Sequence, residues 1–483
     1  MLETTRNVAE RAVKNHYAVH GYNSTVSRFY VENFGCRATQ ADGASIEREL
    51  VELGLERAEE ANQASVVILN TCTVTSSADH DVRATVRRIH RTNPQAKILV
   101  TGCYAQRAPE EVASLPGVSV VVGNSHKQHV AKLAARPVAL SDACSSHAQT
   151  GFVPLSTVAK SDGEVAEIFV GDIFAHTELI AAPVFDAAGE RTRPNLKVQD
   201  GCDNRCSFCI IPFVRGQSRS LKLDEVLRQM DGLVESGYRE VVVSGINLGR
   251  WGRDLEPKSR FEDLVRTLLA KTGVERLRIS SVEPMDWSDE LIAMCSESPR
   301  IAKHAHVPMQ SGSDRVLRKM HRKYRPWHYV EKIQKIRAAM PTAAIGADVM
   351  VGFPGETDLD FEETRTVIEQ LPFTYLHVFT YSSRPGTPSA AMPAQVPGDV
   401  MRERNRILRE IAAEKKRAFQ QSFVGGTVSA VTLSVQEDGR TEGLTDNYQK
   451  IWIEGSIEAN RMIDVRVNGV EDDAMVGCPA VSN

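Results

Sequence analysis

Three stretches near the N-terminus share one layout, in which a short strand pattern ends beside a cysteine and a helical pattern follows. The predicted strands cover 28–34, 64–69 and 97–101, and the cysteines are Cys36, Cys72 and Cys103. Strands that alternate with helices predict an α/β domain with a parallel, doubly wound sheet. Loops after parallel strands meet at one edge of such a sheet, so we expect the three cysteines to converge in space.

A second strand–helix series begins at residue 195. Its strands are predicted at 196–199, 240–243, 277–280, 304–307, 344–349 and 376–380. Six βα units of this kind predict a partial (βα)6 barrel, with its chemistry at the carboxyl ends of the strands.

The chain changes character after a Lys/Arg-rich helical pattern at 401–421. Short alternating strands at 428–435, 451–457 and 462–467 predict a small C-terminal β-barrel. We therefore expect a polar extension at 1–25, an N-terminal domain at 26–136, a linker with some structure at 137–193, a barrel domain at 194–421 and a β-domain at 422–483.

The composition and the N-terminal sequence indicate in which compartment the protein is expected and what its surface can bind. A formal net charge of -4 means that any polyanion would have to meet local basic patches. No apolar run is long enough for a membrane span, and the polar first residues lack the apolar core of a signal peptide. We expect a cytoplasmic protein whose thiols stay reduced and free to bind metal. Of its nine cysteines, Cys144, Cys295 and Cys478 are isolated and receive no predicted role.

The sharpest motif places Cys202, Cys206 and Cys209 on one short loop directly after a predicted strand. Three thiolates on a compact loop can bind three irons of a four-iron cluster and leave the fourth iron open to a small molecule. The alternative is a zinc knuckle. Zinc generally takes four closed ligands, and no fourth Cys or His adjoins this loop.

This loop, with Phe208 before its last cysteine, resembles the radical S-adenosylmethionine superfamily. The surrounding sequence QDGCDNRCSFCIIPFVRGQSRS resembles the methylthiotransferases within it, from about residue 28 to the C-terminus. Further runs extend the resemblance: NTCTVTSSAD, TGCYAQ, SGINLGRWG, HVPMQSGSD, GFPGET and FTYSSRPGT. The first two of these are most similar to the branch that acts on N6-threonylcarbamoyladenosine in tRNA.

The resemblance implies two [4Fe-4S] clusters and S-adenosylmethionine as cofactors. Cys202, Cys206 and Cys209 match the ligands of the cluster that cleaves S-adenosylmethionine to a 5′-deoxyadenosyl radical. Cys36, Cys72 and Cys103 match the ligands of a second cluster that delivers the sulfur and methyl group. The implied product carries a methylthio group at C2 of N6-threonylcarbamoyladenosine at position 37 of tRNA.

Residues after successive barrel strands are implied as contacts to S-adenosylmethionine, beside Phe208 in the cysteine loop. They are Ser244, Gly245, Asn247, Ser281, Glu283, Gln310, Ser311 and Gly352. The loop at Ser244 lacks the acidic residue common in the superfamily. Gly352 is expected to let the backbone approach the ligand, since glycine adopts such loop angles at no steric cost.

The expectation that the substrate is tRNA rests on two basic clusters and on the C-terminal domain. Arg315, Arg318, Lys319, Arg322, Lys323 and Arg325 form one cluster, and Arg83, Arg87, Arg88 and Arg91 form another. Either could be only a solvated charged face, or could contact tRNA phosphates. The C-terminal domain resembles a TRAM-like RNA-binding barrel, in which Tyr448 and Trp452 are candidates for base stacking or for the core.

The resemblance implies the anticodon loop of ANN-decoding tRNAs as partner and an electron donor such as flavodoxin or ferredoxin. The sulfur source stays open, and no membrane partner is expected. Other functions also remain open at this point: a methylthiotransferase for another tRNA adenosine or for a ribosomal-protein aspartate, a non-catalytic iron–sulfur RNA-binding protein, and a zinc-binding RNA protein.

Overall fold

The structure is a computed structural model that describes residues 27–136, 157–159, 165–175, 179 and 192–480. The predicted N-terminal extension, Cys144 and most of the predicted linker lie outside the described residues. None of the described helices is both long and apolar enough to cross a membrane.

The N-terminal elements form one layered α/β unit. In chain order they are β1 (Arg28–Asn33), α1 (Arg37–Glu52), β2 (Glu56–Arg57), β3 (Val66–Thr71), α2 (Ser76–Thr92), β4 (Lys97–Gly102), α3 (Cys103–Arg107), α4 (Pro109–Ala113), β5 (Val118–Gly123), α5 (Val130–Ala134), β6 (Thr157–Ala159) and β7 (Val165–Phe169). The sheet has the strand order β2-β1-β3-β4-β5-β7-β6, and only the β6–β7 pair is antiparallel. Separate apolar clusters fill its two faces, as the predicted doubly wound fold requires.

Strand β7 differs from its predicted place in the linker. It pairs in parallel with β5, through Val121 and Ile168 among others, and extends the N-terminal sheet. Periodicity over so short a run shows a strand but not its partner. We propose that the N-terminal domain reaches to about residue 175, where the described stretch that carries β7 ends.

The middle of the chain is the partial barrel. Its elements are β8 (Asn195–Asp200), α6 (Ile211–Arg215), β9 (Arg219–Ser220), α7 (Leu223–Glu235), β10 (Glu240–Gly245), α8 (Phe261–Lys271), β11 (Arg276–Ile279), α9 (Asp289–Glu297), β12 (His304–His306), α10 (Asp314–Lys319), α11 (Pro326–Ala339), β13 (Ala344–Val351), α12 (Asp358–Gln370) and β14 (Tyr375–Thr380). Strands run β9-β8-β10-β11 in one sheet and β12-β13-β14 in a second. A parallel bridge between Leu277 and Ile301 links the two sheets. The six predicted strands therefore follow one another around an open barrel.

The last part of the chain is α13 (Gly398–Gln421) and a closed five-stranded barrel. The barrel strands are β15 (Thr427–Glu437), β16 (Arg440–Thr445), β17 (Lys450–Glu454), β18 (Met462–Glu471) and β19 (Ala474–Pro479), in the order β15-β16-β17-β19-β18. Alternate strand residues such as Ile451, Ile453, Val465 and Val467 fill its interior. The sequence pattern missed β16 and β19, because β16 carries few apolar residues and β19 contains a glycine and a proline.

Candidate active site

The three N-terminal cysteines meet at one edge of the sheet, as predicted from strand order. Cys36 is the N-cap of α1, Cys72 directly follows β3, and Cys103 is the first residue of α3 after β4. Cys72 and Cys103 are buried, whereas Cys36 is exposed. The neighbouring residues Asn70 and Thr71 hold the strand ends together. The Asn70 amide donates to Asn33 Oδ1 at 2.9 Å and to the Thr39 carbonyl at 2.7 Å, and the Thr71 hydroxyl donates to the Thr101 carbonyl at 2.6 Å.

Two glycines make this close approach possible. Gly35 and Gly102 precede Cys36 and Cys103, and both have a φ of +99°. A Cβ on Gly35 would lie 2.6 Å from Cys72 Cβ, and one on Gly102 would lie 2.4 Å from the Thr71 carbonyl oxygen. Only glycine fits both the backbone angle and the space.

We expect Gly102→Ala to destabilise the protein by about 3 kcal/mol or more, because it adds a backbone clash to an unfavourable φ. Gly54→Ala is the matched control, since Gly54 also has a positive φ, of +85°, but its Cβ would meet nothing within 4 Å. That control should cost only about 1–2 kcal/mol. Urea denaturation of both variants checks the difference, and equal unfolding midpoints would contradict it.

Five buried charged side chains join the N-terminal domain to the barrel beside these cysteines. They are Asp42 and Lys127 from the first domain and Lys197, Asp200 and Arg215 from the second. Arg215 donates to both oxygens of Asp200 at 3.0 and 3.1 Å and to Asp42 Oδ2 at 3.1 Å. Lys127 pairs with Asp42 at 2.7 Å, and Lys197 bridges Asp200 at 3.0 Å and Asp42. Three cations against two carboxylates leave one positive charge in excess beside the thiols.

The excess positive charge of this network favours a bound anion. Burial opposes ionisation of Asp42, but Lys127, Lys197 and Arg215 lower its pKa to about 2. Burial also acts to lower the pKa of Arg215, yet Asp200, Cys103 and Asp42 raise it well above the usual range. A cluster held by three thiolates would bring negative charge next to this excess positive charge.

The depressed pKa of Asp42 predicts a loss of stability in acid. The contribution of this carboxylate is present above its unfolded pKa, near 4, and is lost as the pH falls towards about 2. We therefore expect the urea midpoint to fall between pH 4 and pH 2. The double variant Asp42→Asn/Lys127→Met removes one charge of each sign and should flatten this fall. An unchanged pH dependence in the double variant would contradict the assignment.

The second cysteine trio lies on the loop that follows β8. Gly201 has a φ of +71° and packs against the chain at Gln217, while the Cys202 amide donates to the Gly216 carbonyl at 3.0 Å. Between the cysteines, the Ser207 hydroxyl donates to the Lys319 carbonyl at 2.7 Å. These contacts fold Cys202, Cys206 and Cys209 into one compact loop against α10.

Two polar side chains from the barrel contact the sulfurs of this loop. The Asn247 amide lies 3.6 Å from Cys202 Sγ, and the Arg322 guanidinium lies 3.3 Å from Cys206 Sγ. Arg322 is buried, pairs with Glu283 and stacks 4.9 Å from the centre of the Tyr324 ring. Sequence placed Arg322 in a basic surface cluster, which is wrong, because this side chain points inward to a thiol and a carboxylate.

Three of the thiols, those of Cys72, Cys202 and Cys209, sit where burial keeps them neutral unless a metal replaces the proton. Burial raises the pKa of Cys72 to about 12, with smaller effects from Cys103 and Cys36. Burial likewise raises the pKa of Cys209 to about 12 and that of Cys202 to about 11, and Cys206 adds to both. Among the described residues, no three His, Cys, Asp or Glu side chains are grouped as a site for a single metal ion.

The donor sets fit the implied cofactors. Each trio supplies three cysteine sulfurs, as an iron–sulfur cluster requires. The Ser244 hydroxyl and the side-chain amide oxygen of Asn247, a residue that contacts Cys202, are buried without a hydrogen-bond partner in the described chain. Orphaned polar atoms of this kind suit a polar ligand. The two trios also share a wall, since Cys103 packs against Ile210 and Val214, just beyond Cys209.

The other residues predicted to contact S-adenosylmethionine differ in what surrounds them in the structure. Phe208 packs partly buried against the barrel core, and Gly245 lies close to Gln199 beside the Cys202 loop. Ser281 bonds to His306 Nδ1 at 2.6 Å, and Gln310 adopts a φ of +63° in its loop. In contrast, the Ser311 hydroxyl is buried against Thr364 at 3.2 Å.

Gly352, which is predicted to let the backbone approach S-adenosylmethionine, packs closely against Met401. A Cβ there would lie 2.2 Å from Met401 Cγ, and its amide donates to Glu356 Oε2 at 2.7 Å. The glycine is needed because α13 packs closely on this loop. The nearby basic cluster is also largely neutralised, since Arg315, Arg318 and Arg325 pair with Asp360 or Asp314.

A cavity of about 220 Å³ lies inside the partial barrel, at the place where the three domains meet. Its lining includes Arg37, Arg278, His304, His306, Tyr375, His377 and Tyr448. The first six have no role predicted from sequence, and Tyr448 is predicted as a candidate for base stacking or for the core. The signal was present, because polar residues at alternate positions of β11, β12 and β14 face one side of each strand.

Comparisons with known proteins agree with this arrangement. The model of the uncharacterized protein family UPF0004 matches residues 28–123, and that of the Radical SAM superfamily matches residues 196–368. In solved structures, the chain is similar to the radical S-adenosylmethionine methyltransferase TsrM from Kitasatospora setae. The TM-score is 0.54 at 15% identity, over 76% of this chain and 75% of that chain, so this likeness concerns the fold.

Sequence relatives extend over nearly the whole chain. A threonylcarbamoyladenosine tRNA methylthiotransferase MtaB of Bacillus subtilis is 36% identical, over 87% of this chain and 89% of the relative. The protein of the same name from Aquifex aeolicus is 33% identical, over 90% of this chain and 99% of the relative. A tRNA-2-methylthio-N(6)-dimethylallyladenosine synthase of Erythrobacter litoralis is 31% identical, over 93% and 96%. This chain therefore belongs to the radical S-adenosylmethionine tRNA methylthiotransferases.

Proposed function

We propose that this protein adds a methylthio group to C2 of N6-threonylcarbamoyladenosine at position 37 of tRNA. The observation that carries the proposal is the pair of cysteine trios, which share the apolar wall formed by Cys103, Ile210 and Val214. A centre that activates a carbon and a centre that supplies sulfur must act on one substrate, so they must lie close together.

We propose that Cys202, Cys206 and Cys209 hold one [4Fe-4S] cluster and that Cys36, Cys72 and Cys103 hold the other. When bound, the first cluster and S-adenosylmethionine supply one-electron chemistry that removes hydrogen from an unreactive carbon. Asn247 and Ser244 offer unpaired buried oxygens to the polar end of S-adenosylmethionine. Arg322 donates to Cys206 Sγ and holds its loop against Glu283.

The substrate is proposed to reach the site as an unpaired base of the anticodon loop, since a paired base would hide C2. ANN-decoding tRNAs and a flavodoxin or ferredoxin donor belong to the same proposal. Lys319 and Lys323, which form no ion pair within the described chain, are candidates for phosphate contact. Support for this branch comes from the MtaB relatives at 30–36% identity. The dimethylallyladenosine relatives, at 29–31%, make that nucleoside the second candidate.

The test uses the full chain, reconstituted anaerobically with iron and sulfide. It is given S-adenosylmethionine, dithionite and one of two anticodon stem-loops, with either N6-threonylcarbamoyladenosine or N6-dimethylallyladenosine at position 37. Mass spectrometry of the digested nucleosides should show the methylthio product with the first stem-loop. Product only with the second would move the protein to the other branch. No product with either, together with tRNA nucleosides unchanged in cells lacking the protein, would favour a protein substrate or a non-catalytic role.

A further inference from the structure

The barrel cavity is built by all three parts of the chain. Arg37 enters it from α1, directly after Cys36, and Tyr448 enters from the C-terminal barrel. The strands between them contribute His304, His306 and Tyr375. A volume of about 220 Å³ gives space for a small planar heterocycle and a short substituent.

The walls of the cavity suit such a heterocycle. The His304 and Tyr448 rings have centroids 4.5 Å apart, and Tyr375 lies within 5.9 Å of His304 and 6.0 Å of His306. Aromatic side chains are the usual surface on which an unstacked base rests. His304 Nδ1 is buried without a hydrogen-bond partner in the described chain and is open to a polar group of a ligand.

Around the cavity the balance of charge is positive, although one carboxylate, Asp348, also lines it and lies 3.5 Å from His306 Nε2. Arg193, Arg276 and Arg278 all approach the single carboxylate of Glu240. The Arg278 guanidinium is largely occupied, because four of its five N–H groups donate to the Glu240 carboxylate and to the carbonyls of Thr445 and Asp446, the latter two at 3.0 and 3.1 Å. Burial, with Arg278 and Arg37 among the further causes, lowers the pKa of His304, so this ring is neutral.

Arg37 is the cation that remains available. Its side chain is half-buried, lines the cavity and has no hydrogen-bond acceptor or ion-pair partner in the described part of the chain. A carboxylate stabilises an arginine that lies beside a low-dielectric cavity. The planar guanidinium group can bind the carboxylate through two hydrogen bonds. A neutral hydrocarbon group at the same place would leave the guanidinium unpaired.

We propose that this cavity receives the N6 substituent of the target adenosine and that Arg37 binds a carboxylate on that substituent. This inference rests on the proposed function. The threonylcarbamoyl group ends in a carboxylate, whereas the dimethylallyl group is a hydrocarbon. Arg37 is thus a specificity-determining residue that selects an acidic N6 substituent.

The experiment compares Arg37→Met with wild type on the two stem-loops, with Arg48→Met as control. Arg48 lies on the same helix, is half-exposed and, among the residues that the structure describes, forms its ion pair with Glu52 at 3.8 Å. For each protein we measure turnover and the dissociation constant of both stem-loops, together with iron and sulfide content. We expect Arg37→Met to lower the preference for the threonylcarbamoyl stem-loop by about 10- to 100-fold, with cluster content unchanged. Arg37→Lys should retain part of the preference, and Arg48→Met all of it.

The proposal is overturned if Arg37→Met weakens both stem-loops equally, leaves the preference unchanged, or loses the iron. Any of these results would give Arg37 a general structural or cluster-supporting role. Failure of the proposed function looks different, because wild type would then make no product with either stem-loop. In that case the dissociation constants still decide whether Arg37 selects the acidic substituent.

Discussion

Cys209→Ala is expected to reduce release of 5′-deoxyadenosine to the level of a protein-free control, whereas Cys72→Ala is expected to retain it. Cys209 is one of three thiols on the loop proposed to hold the cluster that binds S-adenosylmethionine, so its loss removes a ligand from that cluster. Cys72 belongs to the other trio, at the edge of the N-terminal sheet. Its loss should abolish the methylthio product while cleavage of S-adenosylmethionine continues.

The measurement is chromatography of 5′-deoxyadenosine and of the methylthio nucleoside from the same reaction. Cys295→Ala is the matched control, because Cys295 is also buried in the barrel but packs in its apolar core. This variant should keep both products. Equal loss of 5′-deoxyadenosine in Cys72→Ala and Cys209→Ala would contradict the division of roles between the trios.

Arg215→Met is expected to destabilise the protein by about 3–5 kcal/mol, because it removes the three buried hydrogen bonds that Arg215 donates to the carboxylates of Asp42 and Asp200. Arg215 is 2% exposed and, like Lys197, contacts Asp200 in its own domain and Asp42 across the domain boundary. Methionine has a similar volume but cannot replace these hydrogen bonds. The lost positive charge should also weaken binding of any anionic cluster beside Cys36 and Cys103.

Chemical denaturation of the purified variant checks the stability, and iron content checks the cluster. Arg266→Met is the control for lost exposed ion pairs, since Arg266 is about half-exposed and pairs with Asp263 at 2.9 Å and with Glu290. An exposed pair of this kind contributes only about 0–1 kcal/mol. If the two variants unfold at the same denaturant concentration, the buried network does not hold the domains together.

Much of the fold could be predicted because the apolar residues of its strands and helices follow a regular spacing in the sequence. All six barrel strands lie within two residues of their predicted bounds, and the cysteines follow strands as expected. The convergence of Cys36, Cys72 and Cys103 required only strand order, because parallel strands bring their carboxyl ends together. The short loop of Cys202, Cys206 and Cys209 needed no tertiary information at all.

The rest depended on contacts between residues far apart in the chain. Asp42 and Arg215 are 173 positions apart, so no local pattern could show that they pair. Arg322 was read as a surface charge because it lies in a run of basic residues, yet it is 7% exposed. Arg37 lines a cavity that residues of three domains form together, and no local pattern in the sequence predicts this position.

The central claim is that this chain holds two iron–sulfur clusters on two separate cysteine trios. Iron and acid-labile sulfide, counted per chain after anaerobic reconstitution, test it most directly. The wild type should bind about eight irons, and Cys36→Ala and Cys202→Ala should each lose about half of them. Retention of all the iron in either variant, or zinc in place of iron in the wild type, would contradict the account.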